Sequence, residues 1–282
     1  MRTRFVASFI IAVAVLAVLV LTSAPAAAQL KVPGYEGINP MGPNGQVVNR
    51  KAIPRTADGH PDFTGVWAGP GFSHKVGRND TDTPGVGRFE EKNFPPYVPG
   101  GETRFLEKNT GDIIHDDPTA ICLPDGYPRE ALTGYATEIN QFPGLMYWRY
   151  EYMHFDKIVP TDGRPHPKDV ELTFMGDSVA HWEGDTLVMD TIGLRKWTLD
   201  ATSEPATRYH SDALHVIDKI RYIDPMTAEW QMTLDDPLIW TKPWTTTYQM
   251  KLHPTWRLYE QVCEENNRCN SGKCTQSDVQ KK

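Results

Sequence analysis

This 282-residue chain lacks most of the patterns by which a sequence declares its chemistry. It has no Gly-x-Ser-x-Gly, no phosphate-cradling loop and no dinucleotide fingerprint, which removes the familiar nucleophile-elbow and nucleotide-binding classes. None of its nine histidines falls in His-x-His or His-Glu-x-x-His spacing. His115-Asp116-Asp117 offers only a weak hard-metal grouping, so neither a metal site nor a cofactor is expected. Basic residues are outnumbered 29 to 36, a balance that argues against nucleic acid or anionic lipid as partner. Helical periodicity is scarce, and repeats and low-complexity tracts are absent. Beyond Leu21 no segment is apolar enough to cross a bilayer, so no stable span is expected after removal of the leader.

That leader is the first positive feature. Arg2 and Arg4, an apolar run from Phe5 to Leu21, and Ala26-Ala27-Ala28 read as an export signal over residues 1–28, which places the mature protein in the periplasm or outside the cell. Its removal takes the formal charge from −7 to about −9, because two arginines and no acids leave. The four cysteines all lie downstream, and an even number in an oxidising compartment implies two disulfides. Cys269 and Cys274 flank a flexible Asn-Ser-Gly-Lys turn and close a small loop. Cys122 with Cys263 then completes the first choice among three pairings. A zinc site on the C-terminal cysteines is the alternative, with spacing that matches no familiar knuckle.

Residues 29–60, rich in Pro, Gly and Asn, read as an extended arm. A barrel domain is expected over 61–267, with a long loop insertion at about 69–118 and a polar tail over 268–282. Asp62 to Trp67 is the first convincing strand, and its Gly65-x-Trp67 resembles the opening strand of lipocalin-like barrels. Leu145 to His154, Val170 to Phe174, Val179 to Glu183 and Thr186 to Thr191 follow, the last two folded on a Gly184-Asp185 turn. Ala213 to Tyr222, Ala228 to Leu234, Thr245 to Leu252 and Arg257 to Val262 complete roughly eight to ten strands. The pattern predicts an all-β, antiparallel up-and-down barrel with long loops and little helix.

Several motifs also resemble a known group. Asp-Gly-Arg-x-His-Pro at 162–167, Gly-Asp-Ser at 176–178, Trp-Glu-Gly-Asp-Thr-Leu-Val at 182–188 and Asp-Pro…Pro-Trp at 236–244 resemble an uncharacterised family of exported bacterial calycin-like proteins. Cys122-x-Pro124-x-Gly126-x-Pro128-Arg129 and Glu260-x-x-Cys263-x-Glu265-Asn266 fit the same pattern, and the resemblance spans about residues 55–267. It implies the barrel, the export and the Cys122–Cys263 bond, and it carries no activity. The chain departs from the pattern at His181, where Gly or Arg is expected, and at Lys157, which replaces Arg.

Candidate site residues come from strand parity and from turns. On Leu145–His154, one face holds Met146, Trp148, Tyr150, Tyr152 and His154, and the other holds Arg149 and Glu151. Either the aromatic face lines the core and Arg149 and Glu151 meet water, or the two charges anchor a ligand inside. The cost of burying charge favours the first and the resemblance, with its acid at Glu151, supports the second. Arg164 and His166 in their Pro-bounded turn suit a carboxylate or phenolate oxygen, although Asx capping by Asp162 explains the turn equally well. His210 and Asp212 share a face if the strand has begun, as a carboxylate-oriented imidazole would require; a plain strand-entry turn is the alternative. Asp236, near Trp240 and Trp244, is a candidate buried carboxyl, and Trp182 and Trp244 are further candidate wall residues.

Two functions fit these residues. The first is a carrier enclosing a small amphipathic or aromatic molecule in an aromatic cup. The second is a cofactor-free lyase, isomerase or hydrolase using His166, His210, Asp212 or Glu151 at the barrel mouth. A structural envelope protein is a third, lesser possibility.

Overall fold

The structure, a computed structural model, describes residues 50–68, 94–133, 135–200 and 206–264. The export signal, the arm before residue 50, residues 69–93 of the insertion, the Cys269–Cys274 pairing and the polar tail lie outside the described residues.

The described strands, in chain order, are β1 (Gly65–Ala68), β2 (Leu106–Lys108), β3 (Ala136–Phe142), β4 (Leu145–Tyr150), β5 (Asp156–Pro160) and β6 (Asp177–Glu183). They continue with β7 (Thr186–Ile192), β8 (Trp197–Asp200), β9 (Ala206–His210), β10 (His215–Asp224), β11 (Thr227–Asp235) and β12 (Trp244–Leu252). Nine of them form one antiparallel sheet in the order β5-β4-β3-β1-β12-β11-β10-β7-β6. The two edges, β5 and β6, approach each other without a hydrogen-bonded ladder, so the sheet curls into a nearly closed barrel. β2, β9 and β8 make a separate three-stranded sheet. The all-β antiparallel reading holds, with one amendment to the meander: between β7 and β10 the chain leaves the barrel to build β8 and β9.

Local chemistry accounts for the hairpins. β6 and β7 pair from Asp177↔Ile192 to Glu183↔Thr186, and Gly184 supplies the left-handed residue of the two-residue turn at φ 62°. Inward positions follow the period of two: Met146, Trp148 and Tyr150 on β4, Leu187 and Met189 on β7, and Ala228, Trp230 and Met232 on β11 are all buried. At one end Trp67, Phe63, Tyr222 and Trp182 form an aromatic plug, with Phe63 stacked 4.7 Å from Tyr222. At the other end Trp244 packs against Phe94, which stacks on Trp240, itself edge-on to Phe105.

Three expected strands are corrected. Leu145–His154 stops at Tyr150, because Met153 and His154 take left-handed φ values of 55° and 54° and turn the chain into β5. Val170–Phe174 alternates but is mostly exposed, contributing a single parallel bridge from Thr173 to Leu194. Arg257–Val262 is an irregular strap against the outer wall. It is held by Tyr259 N donating to Glu151 (3.1 Å), Gln261 N to His154 Nε2 (3.2 Å) and Met153 N to Gln261 Oε1 (3.0 Å), and by the disulfide from Cys122 to Cys263. The later part of the predicted loop insertion is also ordered: it contains helical turns at Gly101–Phe105 and Ile113–Asp116, with β2 between them.

Gly176 enters β6 at φ 69°, and a Cβ there would stand 2.6 Å from the Ile192 carbonyl oxygen. Gly176→Ala is expected to cost about 1–3 kcal/mol, read as a lower urea midpoint with unchanged slope.

Candidate functional site

The barrel interior is not uniformly apolar. Along β10 the inward residues are Val216, Asp218, Ile220 and Tyr222, so a carboxylate sits mid-wall with 0% exposure. Asp218 accepts from Trp230 Nε1 at 2.7 Å on the neighbouring strand and from the Tyr127 hydroxyl in a very short bond. Tyr127 comes from outside the sheet, on the segment that follows Cys122. Its ring face carries Lys157, whose Nζ stands 3.2 Å from the ring centroid. Lys157 is an inward residue of β5, and its Nζ also donates to Thr191 Oγ1 at 3.2 Å; Thr191 in turn bonds Ser178 Oγ at 2.8 Å. One aromatic ring thus stands between a buried amine and a buried carboxyl.

Burial dominates the electrostatics of this centre. It pushes the Lys157 ammonium down to about 7, with the negative charge of Asp218 opposing it. It pushes the Asp218 carboxyl up to about 6, opposed by the Tyr127 hydrogen bond and by Lys157. The Tyr127 and Tyr150 phenols are both raised, by burial first and then by neighbouring acids: Asp218 for Tyr127, and Glu130 followed by Asp218 for Tyr150.

Beside this centre stand buried polar atoms that find no hydrogen-bond partner among the described residues: Trp148 Nε1, the Tyr150 hydroxyl and both oxygens of Glu130. Trp148 and Tyr150 are two apart on one strand and share the inner face. Glu130 is held well above the usual carboxylate range by burial and by neighbouring Asp125. Its neighbour Arg129 is engaged elsewhere, forking onto Asp117 at 2.9 and 3.0 Å and reaching Asp125 at 3.1 Å. Arg129 therefore acts as a structural clamp for the segment carrying Tyr127.

A second cluster lies on the outer wall. His166 Nδ1 is 2.6 Å from Asp177 Oδ1 and its Nε2 is 3.2 Å from Asp190 Oδ1, while His215 Nε2 is 2.7 Å from that same Asp190 oxygen. The hydrogen bond to Asp190 raises the pKa of His215. Hydrogen bonds from both imidazoles outweigh burial and lower that of Asp190.

The sequence candidates scatter. Trp148 and Tyr150 line the interior, Trp182 belongs to the aromatic plug, and Trp244 to the opposite end. Tyr152 leaves the strand and stacks on Tyr135, 4.8 Å away. Arg149 points outward, pairs with Glu138 at 3.2 Å and lines an open groove of about 460 Å³ under the strap. Glu151 binds the strap, and Arg164 forks onto its own Asp162 in solvent. These charges stay outside because each finds water and a partner there, whereas the interior would strip both away. His210 and Asp212 do not form a pair: β9 ends at His210, whose Nδ1 meets the Ser211 carbonyl at 2.9 Å, and Asp212 faces solvent in the following turn. Burial lowers the His210 pKa. Asp236 is fully buried as a turn anchor, accepting from Ser211 N and Oγ at 2.7 Å each.

The sequence reading missed Lys157, Asp218, Tyr127 and Glu130. A period-two signal was present in Val216-Ile217-Asp218-Lys219-Ile220, where Asp218 shares parity with two aliphatics. Fold and site together define a nearly closed antiparallel β-barrel with a charged centre and unsatisfied inner-wall donors. No protein-family model, curated protein or solved structure matches the chain. Among the described residues no helix is long and apolar enough to cross a membrane.

Proposed function

We propose that this is an exported binding protein whose barrel holds a small molecule with an aromatic or apolar body and a hydrogen-bonding edge. The carrying observation is the set of buried groups without a partner among the described residues: Trp148 Nε1 and the Tyr150 hydroxyl on the inner face of β4, and the Glu130 carboxyl on the helical turn Arg129–Leu132. A buried polar group left without a partner costs about 1–3 kcal/mol, so a protein that keeps several together gains by receiving a guest that pairs them. Trp148 and Trp230, packed on each other with ring centroids 5.5 Å apart, supply apolar surface. Export is supported by the leader sequence, by the calycin-like resemblance and by the Cys122–Cys263 bond, which belongs to an oxidising compartment.

The test is native mass spectrometry of protein purified from a periplasm, repeated after denaturation. Retention of a mass on the order of a few hundred daltons is expected. Tyr150→Phe and Trp148→Phe should each weaken rebinding by roughly tenfold, the worth of one hydrogen bond. An absent guest, with no binding change in either variant, would sink the proposal.

A second reading, a cofactor-free acid–base enzyme, is favoured by one observation. Lys157 at about 7 and Asp218 at about 6 both titrate near neutrality inside one water-poor site. It demands at least about a hundredfold loss of turnover in Lys157→Met, where a carrier shows only an affinity change.

A further inference from the structure

Arg129 and Lys157 are both buried, yet the fold treats the two cations differently. Arg129 meets Asp117 at 2.9 Å and Asp125 at 3.1 Å. Lys157 meets no carboxylate at ion-pair distance among the described residues. Its Nζ makes one hydrogen bond, to Thr191 Oγ1 at 3.2 Å, and otherwise rests 3.2 Å from the centroid of the Tyr127 ring. An ammonium stripped of water and left without a contacting counter-ion is costly, so this position favours the neutral amine. The amine accordingly titrates at about 7, pushed down by burial against the more distant charges of Asp218 and Asp177.

A neutral amine is a nucleophile, and the wall beside it specifies the electrophile. Trp148 lies directly opposite Lys157 in the β4–β5 ladder, and both side chains are buried. Trp148 Nε1 only donates, and neither it nor the Tyr150 hydroxyl, two residues along, has a partner among the described residues. Such a wall suits a group that accepts at oxygen while offering carbon to the amine, which describes a carbonyl. A carboxylate has the oxygens without the electrophilic carbon, and would share the interior with Asp218.

We propose that Lys157 captures an aldehyde or ketone as an imine, so that the guest of this barrel is a carbonyl compound held by a covalent bond. This deepens the binding reading above, on which it rests. The carbonyl carbon bonds to Nζ, and both amine hydrogens leave with the carbonyl oxygen as one water. A C=N bond replaces C=O, and neither oxidant nor reductant is consumed. The step reverses when water returns, so the dry interior favours the bound form. Asp218 and Glu130, whose carboxyls burial raises, are acids able to supply and recover the protons that loss of water requires. The amine faces uncharged Thr191 from β7 and Trp148 from β4. Its charged neighbours are Asp218 of β10, beyond the Tyr127 ring, and Asp177 of β6.

Sodium borohydride, added to the protein as purified from a periplasm, reduces a resident imine to a stable amine that peptide mass spectrometry locates. Where native mass spectrometry shows a guest, its fixation on Lys157 is the expected result. A guest seen but not fixed overturns the imine and leaves the binding reading standing. Where no guest is seen, benzaldehyde with sodium cyanoborohydride at pH 7 decides. Lys157 should be benzylated at least about tenfold faster than exposed Lys251, because an ordinary lysine is almost wholly protonated at that pH. The ratio should fall toward about pH 10, where Lys251 gives up its proton. Modification of Lys157 no faster than Lys251 at pH 7 overturns the proposal. Selective benzylation of a protein that arrives without a guest supports the amine chemistry while counting against the resident guest of the binding reading.

Discussion

Asp218→Ala is expected to lower the unfolding free energy by about 3–5 kcal/mol, the usual cost of removing one member of a buried charged set. Three groups lose their partner at once. The Tyr127 hydroxyl and Trp230 Nε1 no longer have an acceptor, and Lys157 keeps its burial without the opposing charge. Asp218→Asn separates these effects in part, because its amide oxygen still accepts one of the two bonds while the charge is gone. It should cost clearly less than alanine, and a urea titration of both variants ranks them. Identical losses would mean that hydrogen bonding is irrelevant and charge alone matters.

The shifts also set a pH signature. Asp218 binds its proton more tightly folded than unfolded, so its contribution falls as pH rises from the ordinary aspartate value to about 6. Lys157 releases its proton more readily when folded, so its contribution grows as pH rises above about 7 toward the ordinary lysine value. Asp218→Asn should reduce the acid-side slope, leaving the part that comes from Asp125 and Glu130, whose carboxyls burial also raises.

The second large effect concerns the Cys122–Cys263 bond, which joins residues 141 apart in sequence. A loop of that length restricts the unfolded chain by about 5 kcal/mol in the chain-entropy description. The strap that ends at Cys263 is otherwise held by four hydrogen-bond contacts to residues 151–154, so part of that gain is recovered when it peels away. Cys122→Ala/Cys263→Ala is therefore expected to lose about 3–5 kcal/mol. Trypsin should also reach Arg257 sooner in the variant, because peeling the strap needs no barrel unfolding. An unchanged urea midpoint would show that the bond does not restrain the unfolded chain as described.

Much of the fold was readable in the sequence, and the reason is periodicity. The β6–β7 hairpin announced itself through a two-residue Gly-Asp turn between alternating runs, and Met146, Trp148 and Tyr150 obeyed parity. Where an alternating run proved irregular, tertiary context decided: paired left-handed residues at Met153 and His154 ended β4, and Arg257–Val262 found no neighbouring strand edge. The site was far less legible. A lysine or aspartate in an alternating run is assigned to solvent by default, because charged side chains are rarely buried. Only the register placing Lys157 opposite Trp148, and Asp218 opposite Met189 and Met232, turns them inward. Tyr127 arrives from a Pro- and Gly-rich segment with no strand signal at all.

An inward lysine on an edge strand also bears on how such chains behave in a crowd. β5 and β6 present backbone donors and acceptors unsatisfied by each other, the kind of margin onto which another molecule's strand can add. A strand joining β5 would have to lie beside Lys157 and seal its amine further from water. With residues 161–163 hydrogen-bonded to Gly144 and to Ala180 of β6 and a potential charge at Lys157, the margin that keeps this barrel short of closure is also guarded against aggregation.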